Sequence, residues 1–182
     1  SDVPSHRMAI EWDDSRAQWA PVYPSTVTVV YTVIPANNIT FPAANRVFIT
    51  PVAIPGVLKL NQIRFRVTTA VGGVTGDVGL YDTSGALVAS GGASSADFVT
   101  AGAKVVSVLG SPKTLQPGQY FAAITANGTP AVRGNTLGGA ASIGVIKFAG
   151  YAVEAGGTTL PALISLSSII DDNELFFIGF NE

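Results

Sequence analysis

Apolar and polar positions alternate along Gln62–Thr69. Ile63, Phe65 and Val67 fall on one face, and Gln62, Arg64, Arg66 and Thr68 fall on the other. A period of two marks a strand with one face buried and one wet. A helix over the same residues would set Arg64 or Arg66 beside the core. With Leu58 and Leu60 leading in, the pattern predicts one long strand over Leu58–Thr69. A glycine-rich link, 71–76, follows. Asp77–Tyr81 is a second alternating run, and a turn at Thr83–Gly85 returns it as a hairpin onto Ala86–Ser90.

Other strands read from β-branching and alternation are Thr26–Ile34, ended by Pro35, and Arg46–Thr50, stopped by Pro51 and Pro55. Lys104–Leu109 places Val106 and Val108 on one face. Gln119–Ala126 lies between turns at Gln116–Gly118 and Asn127–Gly128, and Ser111–Pro112 is a further turn. Ser142–Phe148 and Leu175–Phe180 complete the set. Residues 130–141 read as a long glycine-rich loop, and 150–173 as irregular with one short helical turn near Leu163. Phe41, Phe48, Phe65, Phe121, Phe176 and Phe180 lie in or beside strands and are expected in the core. About eight or nine short strands with turn signals between them, and no amphipathic helix of any length, predict an all-β protein. The expected architecture is an antiparallel β-sandwich of jelly-roll type, as a single domain over 25–182.

Residues 1–24 differ from the rest. They hold His6, Arg7, Glu11, Asp13, Asp14 and Arg16, both tryptophans, and Pro21 and Pro24 at their end. They read as an extended or partly helical N-terminal arm outside the core. Such an arm either docks on a neighbour through Trp12, Trp19 and Tyr23 or is a solvated tail. Two readings stand for the start of the chain: Met8 as the native start, or a piece cut from a longer protein.

Composition narrows the chemistry. The chain has no cysteine, and His6 is its one histidine, so zinc centres and histidine-based triads lack their ligands. Twelve carboxylates are present, none in a glycosidase-like motif. Asp171–Glu174 is the densest acidic run, but it lacks the spacing of a calcium loop and reads as a polar turn. Gly73, Gly76 and Gly79 match no nucleotide fingerprint, and no helix follows them. No enzyme activity, metal or cofactor is therefore expected. A net charge of −2 offers no basic field for nucleic acid. The charge-free run from Ala155 to Ile170 is broken by Gly156, Gly157 and Pro161 and falls short of the roughly 20 apolar residues of a membrane-spanning helix. Charged residues make up 12% of the chain and mean hydropathy is +0.40. Either a β-rich core with Ser/Thr/Gly/Asn loops accounts for this, or a protomer hides surface in a homo-oligomer; the second is the expectation, with a trimer preferred.

Leu58–Thr69, then Val78–Asp82, then Ser84–Val88, then Leu115–Thr125, in that order, resemble β-sandwich domains of bacteriophage virions, found in tail fibres, head fibres and minor structural proteins. The likeness runs over about residues 46–180 and includes a closing aromatic strand similar to Leu175–Phe180. It implies a non-catalytic virion component, often trimeric, that meets other virion proteins and the host surface. Host recognition by a fibre or spike-like oligomer is the expected function. A capsid decoration protein and a non-catalytic carbohydrate-binding module are the alternatives. The sequence shows no basic patch and no buried-charge motif. The expected ligand is therefore a neutral host-surface glycan, with Tyr151, Arg133 and Asn135 as binding residues chosen for their type and loop position.

Overall fold

A computed structural model describes residues 9–13, 18–22, 37–136, 150–171, 174–176 and 178–181. The strands β1 (Ala9–Asp13) and β2 (Gln18–Val22) pair with each other as an antiparallel hairpin in which Trp12 and Trp19 are cross-strand partners. The chain continues through β3 (Asn37–Thr40), β4 (Arg46–Ile54), β5 (Leu58–Leu60), β6 (Gln62–Thr69) and β7 (Gly76–Tyr81). Next come β8 (Leu87–Ser90), β9 (Gly102–Ser107), β10 (Lys113–Leu115), β11 (Gly118–Ala126) and β12 (Ala131–Thr136). The last are β13 (Gly150–Ala155), β14 (Ile170–Asp171), β15 (Glu174–Phe176) and β16 (Gly179–Asn181), with one 3-10 turn at Leu166–Ser168.

The protein is all-β, and every pairing among the described residues is antiparallel. One six-stranded sheet runs β14-β13-β4-β11-β7-β8. The other runs β15-β12-β6-β16, with β3 also beside β12 and β9 also beside β6. A single apolar cluster joins them: Phe48, Leu80 and Ile124 come from the first sheet, and Ile63, Phe65 and Phe176 from the second. The Phe41, Phe48 and Phe176 rings meet at centroid distances of 5.0 to 5.3 Å in tilted and edge-on pairs, the geometry that ring quadrupoles favour. The alternation in β6 is as expected, with Ile63, Phe65 and Val67 buried and Arg64 and Arg66 exposed. The predicted long strand is nevertheless two. Leu58 and Leu60 are buried at even positions, whereas β6 buries odd ones. Asn61 is the extra residue that resets the phase, and its carbonyl accepts from the Val108 amide at 2.9 Å.

The first sheet is covered on both faces. Its outer face carries a second cluster of Val47, Ile49, Tyr81 and Ala123, over which Leu160, Ile164 and Ile169 pack. The 156–169 segment is thus a third layer. This explains why all six residues of β7 are buried, instead of the alternate exposure its sequence suggested. It also gives part of the high apolar content a place inside one chain. Two buried polar side chains hold the layer down. Asp77 and Thr125 are cross-strand partners on β7 and β11. Asp77 is 2% exposed, and its Oδ2 accepts from the Leu160 amide at 3.1 Å and from Ser90 Oγ at 2.7 Å. Thr125 Oγ1 accepts from the Gly157 amide at 3.0 Å. A buried carboxyl group, which the sequence did not suggest, is therefore built into the fold.

Several expected boundaries change. β4 does not stop at Pro51 but runs to Ile54, with Pro51 opposite Phe121. Among the described residues β13 pairs β4 at Arg46–Ile49 and β11 is the one neighbour of β4 beyond Ile49, a setting in which a strand tolerates proline. The 130–141 loop contains β12, and the irregular 150–173 stretch contains β13 and β14, with its short helical turn near Leu163 found at Leu166–Ser168. The closing strand is two short ones. β15 pairs β12, and β16 pairs β6, each where β6 and β12 no longer pair with one another. The predicted strands Thr26–Ile34 and Ser142–Phe148, together with Tyr23, lie outside the described residues.

The β7–β8 hairpin turns on Asp82. Its Oδ1 accepts from Ser84 Oγ at 2.6 Å, the Ser84 amide at 2.8 Å and the Ala86 amide at 3.1 Å. The Ser84 hydroxyl bond chiefly holds this carboxyl below its ordinary 3.8, with backbone bonds adding and slight burial opposing. A lowered folded pKa stabilises fully above the ordinary value and loses that contribution as pH falls through the lowered one. Asp82→Ala should therefore cost about 1 kcal/mol at neutral pH, the usual worth of a side chain that closes a turn. The gap between variant and parent should shrink as the pH falls below the ordinary carboxylate range. Urea melts at neutral and acidic pH measure it, and a gap that does not change with pH would count against the turn.

Candidate ligand-binding face

The core-facing residues of the second sheet determine which residues face outward. In β6 the buried Ile63, Phe65 and Val67 send Arg64 and Arg66 out. Val132 on β12 is buried opposite Val67, which turns Arg133, one residue on, to the outward side, as Arg66 is turned one residue before Val67. Ile39 on β3 is buried opposite Val132, so Asn38 faces out opposite Arg133. Asn38 Oδ1 accepts from Arg133 Nη1 at 3.2 Å. Gln62 Oε1 accepts from Arg64 Nη2 at 3.4 Å. β9 lies on the other side of β6, where Ala103, Val105 and Ser107 are the partners of Arg66, Arg64 and Gln62, and Val105 is 51% exposed.

The result is a face of guanidinium and amide groups on rigid strands. Arg64 and Arg66 stand two residues apart, about 7 Å along the strand. The amide partners of Arg64 and Arg133 restrict where their guanidiniums can point while using one of five donors each. Arg66 makes no hydrogen bond or ion pair among the described residues. β3, β6, β9, β12 and β16 contain no Asp or Glu; Glu174 lies on β15, beside Thr136 at the far end of β12.

No known protein family, curated protein or solved structure matches the chain.

Of the residues expected to bind ligand, Arg133 belongs to this face, but on a strand and not a loop. Asn135 is two residues further along β12, opposite Leu175. Tyr151 is in the other sheet, on β13 between Phe48 and Ile170, so the fold does not join it to Arg133 in one sheet. Arg64, Arg66, Gln62 and Asn38 were missed as a group. The alternation of β6 had already turned Gln62, Arg64 and Arg66 to water; what it lacked was β12 as the neighbour. Strands distant in sequence set three arginines on one face, which the expectation of no basic patch did not take into account.

An open groove lies between the Thr83–Ser84 turn and Leu163–Ser167. Hydroxyls and leucines line it, and no charged or aromatic side chain does. Among the described residues no group of three or more His, Cys, Asp or Glu comes together, and no helix is long and apolar enough to cross a membrane.

Proposed function

We propose that this chain is a non-enzymatic phage virion protein, a β-sandwich of jelly-roll type. Its outward β3–β12–β6–β9 face binds a glycan of the host surface, and it works as a homo-oligomer, preferably a trimer. The observation that carries the reading is the face itself. The Arg133–Asn38 and Arg64–Gln62 pairs are the fixed donors and acceptors that saccharide oxygens require. Strands hold them, so little ordering is lost on binding. The virion setting is supported by the resemblance of Val78–Asp82 and Leu115–Thr125 to phage domains. The first of these is a strand with a side-chain-closed turn, and the second spans most of β11 with its preceding turn.

An oligomer raises weak single-site affinity through avidity. Light scattering after size exclusion should give a multiple of 18.7 kDa, and a monomer at every accessible concentration would remove the avidity step. The function is tested by binding purified protein to host cells and to empty capsids. Cell binding that is lost when surface glycan is stripped supports the reading. Tight capsid binding with no cell binding would replace it with a capsid decoration role.

A further inference from the structure

We infer that the ligand of this face is an acidic saccharide, a sugar bearing carboxylates, anchored on Arg66 with Arg64 and Arg133 at its sides. The inference rests on the glycan reading and names its chemical class.

The charge distribution points there. The chain carries 10 Lys and Arg residues against 12 Asp and Glu. Three of those cations project from one sheet face, two on β6 and one on β12. Folding does not account for the placement. Arg66 and Arg133 each lie one residue beyond the Val67–Val132 pair on the outward side of their strands, and like charges held near one another repel. No carboxylate on β3, β6, β9, β12 or β16 relieves them. A bound anion would. The guanidinium is the side chain suited to it, since its planar fork takes a carboxylate through two parallel bonds. Arg66 has its whole fork free for this purpose among the described residues. Arg64 and Arg133 each keep most of their donors after pairing with Gln62 and Asn38. The amides and the exposed Ser107 offer partners for sugar hydroxyls between the charges. Val105, exposed opposite Arg64, offers an apolar patch for a ring edge. An acidic saccharide also reverses the salt behaviour expected of a neutral ligand, because exposed ion pairs are screened.

The test uses the full chain and three polymers: polygalacturonate, dextran and polyglutamate. They are an acidic sugar, a neutral sugar and an acid without sugar. Polygalacturonate should bind, with an affinity that falls steeply between low and moderate salt, and dextran and polyglutamate should bind at least about tenfold more weakly. Arg66→Ala should weaken polygalacturonate binding about tenfold or more, in line with one lost charge-assisted pair. Arg66→Lys should recover only part of it, having lost the fork. Lys113→Ala, on β10 in a separate two-stranded sheet, should leave binding unchanged. Dextran binding as well as polygalacturonate would overturn the acidic class and leave the glycan reading standing. Polyglutamate binding equally well would overturn the glycan reading itself. Binding of none, or an Arg66→Ala variant that folds and binds like the parent, would overturn the inference.

Discussion

Gly79→Ala should destabilise the protein by about 3 kcal/mol or more, the top of the usual range for forcing extra atoms into a packed core. The sign is set by sterics alone. On intrinsic grounds alanine is the better strand residue, since glycine loses more freedom on folding. Gly79 is the middle of the buried strand β7, paired with Ala123 on one side and Ser90 on the other. A methyl group there would run into the carbonyl oxygen of Ala89, a backbone atom that cannot swing away, and would come within 2.6 Å of Leu160 Cδ1. Leu160 belongs to the layer that covers this face, so the clash would push β8 and the covering segment outward together. At this chain length the melting midpoint should fall by roughly 6 to 12 °C. Gly72→Ala is the control. It has no heavy atom within 4 Å of the added methyl, and it should be neutral or stabilising by a few tenths of a kcal/mol. Urea unfolding of both variants decides it, and a Gly79→Ala protein within about 1 kcal/mol of the parent would remove the close approach from the explanation of this fold.

How far the sequence speaks for the fold depends on which faces are wet. β6 was legible because one of its faces meets water, and polar residues mark that face at every second position. β7 and β11 carry no such mark, since the second sheet covers one side and the 156–169 segment the other. Alternation was read into Asp77–Tyr81 where burial is continuous, and nothing in the pattern marked Gly79 within it as a point of close contact. The covering segment was unreadable for the same reason. Its fixed points are a short backbone bridge at Ala86–Leu163 and single side chains on other strands, the Tyr81 hydroxyl to the Pro161 carbonyl at 2.8 Å, Asp77 to Leu160 and Thr125 to Gly157. Sequence periodicity does not encode contacts of that kind. Pro51 misled because strand interruption by proline depends on whether both edges are paired, and that is a property of the sheet.

The candidate site was half legible. Arg64 and Arg66 could be placed on one wet face from the period alone. Arg133 could be named but not placed, because the glycines around it suggested a loop, and it takes β3 and β6 on either side to make 131–136 a strand. Pairings across 60 or more residues decide the charge pattern of the face. Composition reported a chain poor in charge; topology concentrates part of that charge in one place.

The other large effect is expected at the buried carboxylate. Asp77→Ala should cost about 2 to 5 kcal/mol, from two buried hydrogen-bond donors left without an acceptor at about 1 to 3 kcal/mol each. Asp77 Oδ2 takes two hydrogen bonds, from Ser90 Oγ on the adjacent strand and from the Leu160 amide of the covering layer, so one side chain ties three pieces of chain together. Removing it leaves the Leu160 amide and the Ser90 hydroxyl short of an acceptor in a site that excludes water. The other oxygen, Oδ1, is buried without a hydrogen-bond partner, so the carboxylate is not fully offset and the network contributes less than its bond count suggests. This sets the order of the variants. Asp77→Asn keeps an acceptor for the Leu160 amide and should cost less than Asp77→Ala. Ser90→Ala removes one donor from a carboxylate already short of partners, and should cost about 1.5 to 3 kcal/mol. The Asp77→Ala, Ser90→Ala double variant should cost less than the two singles added, because the second deletion removes a group the first has already orphaned. Hydrogen exchange gives a local readout. In Asp77→Ala the Leu160 amide should exchange much faster relative to the β4–β11 amides, since it is the covering layer that loses its tether. Additive losses with uniform exchange would mean that Asp77 stabilises the sheet alone and that Leu160 is held by its apolar packing.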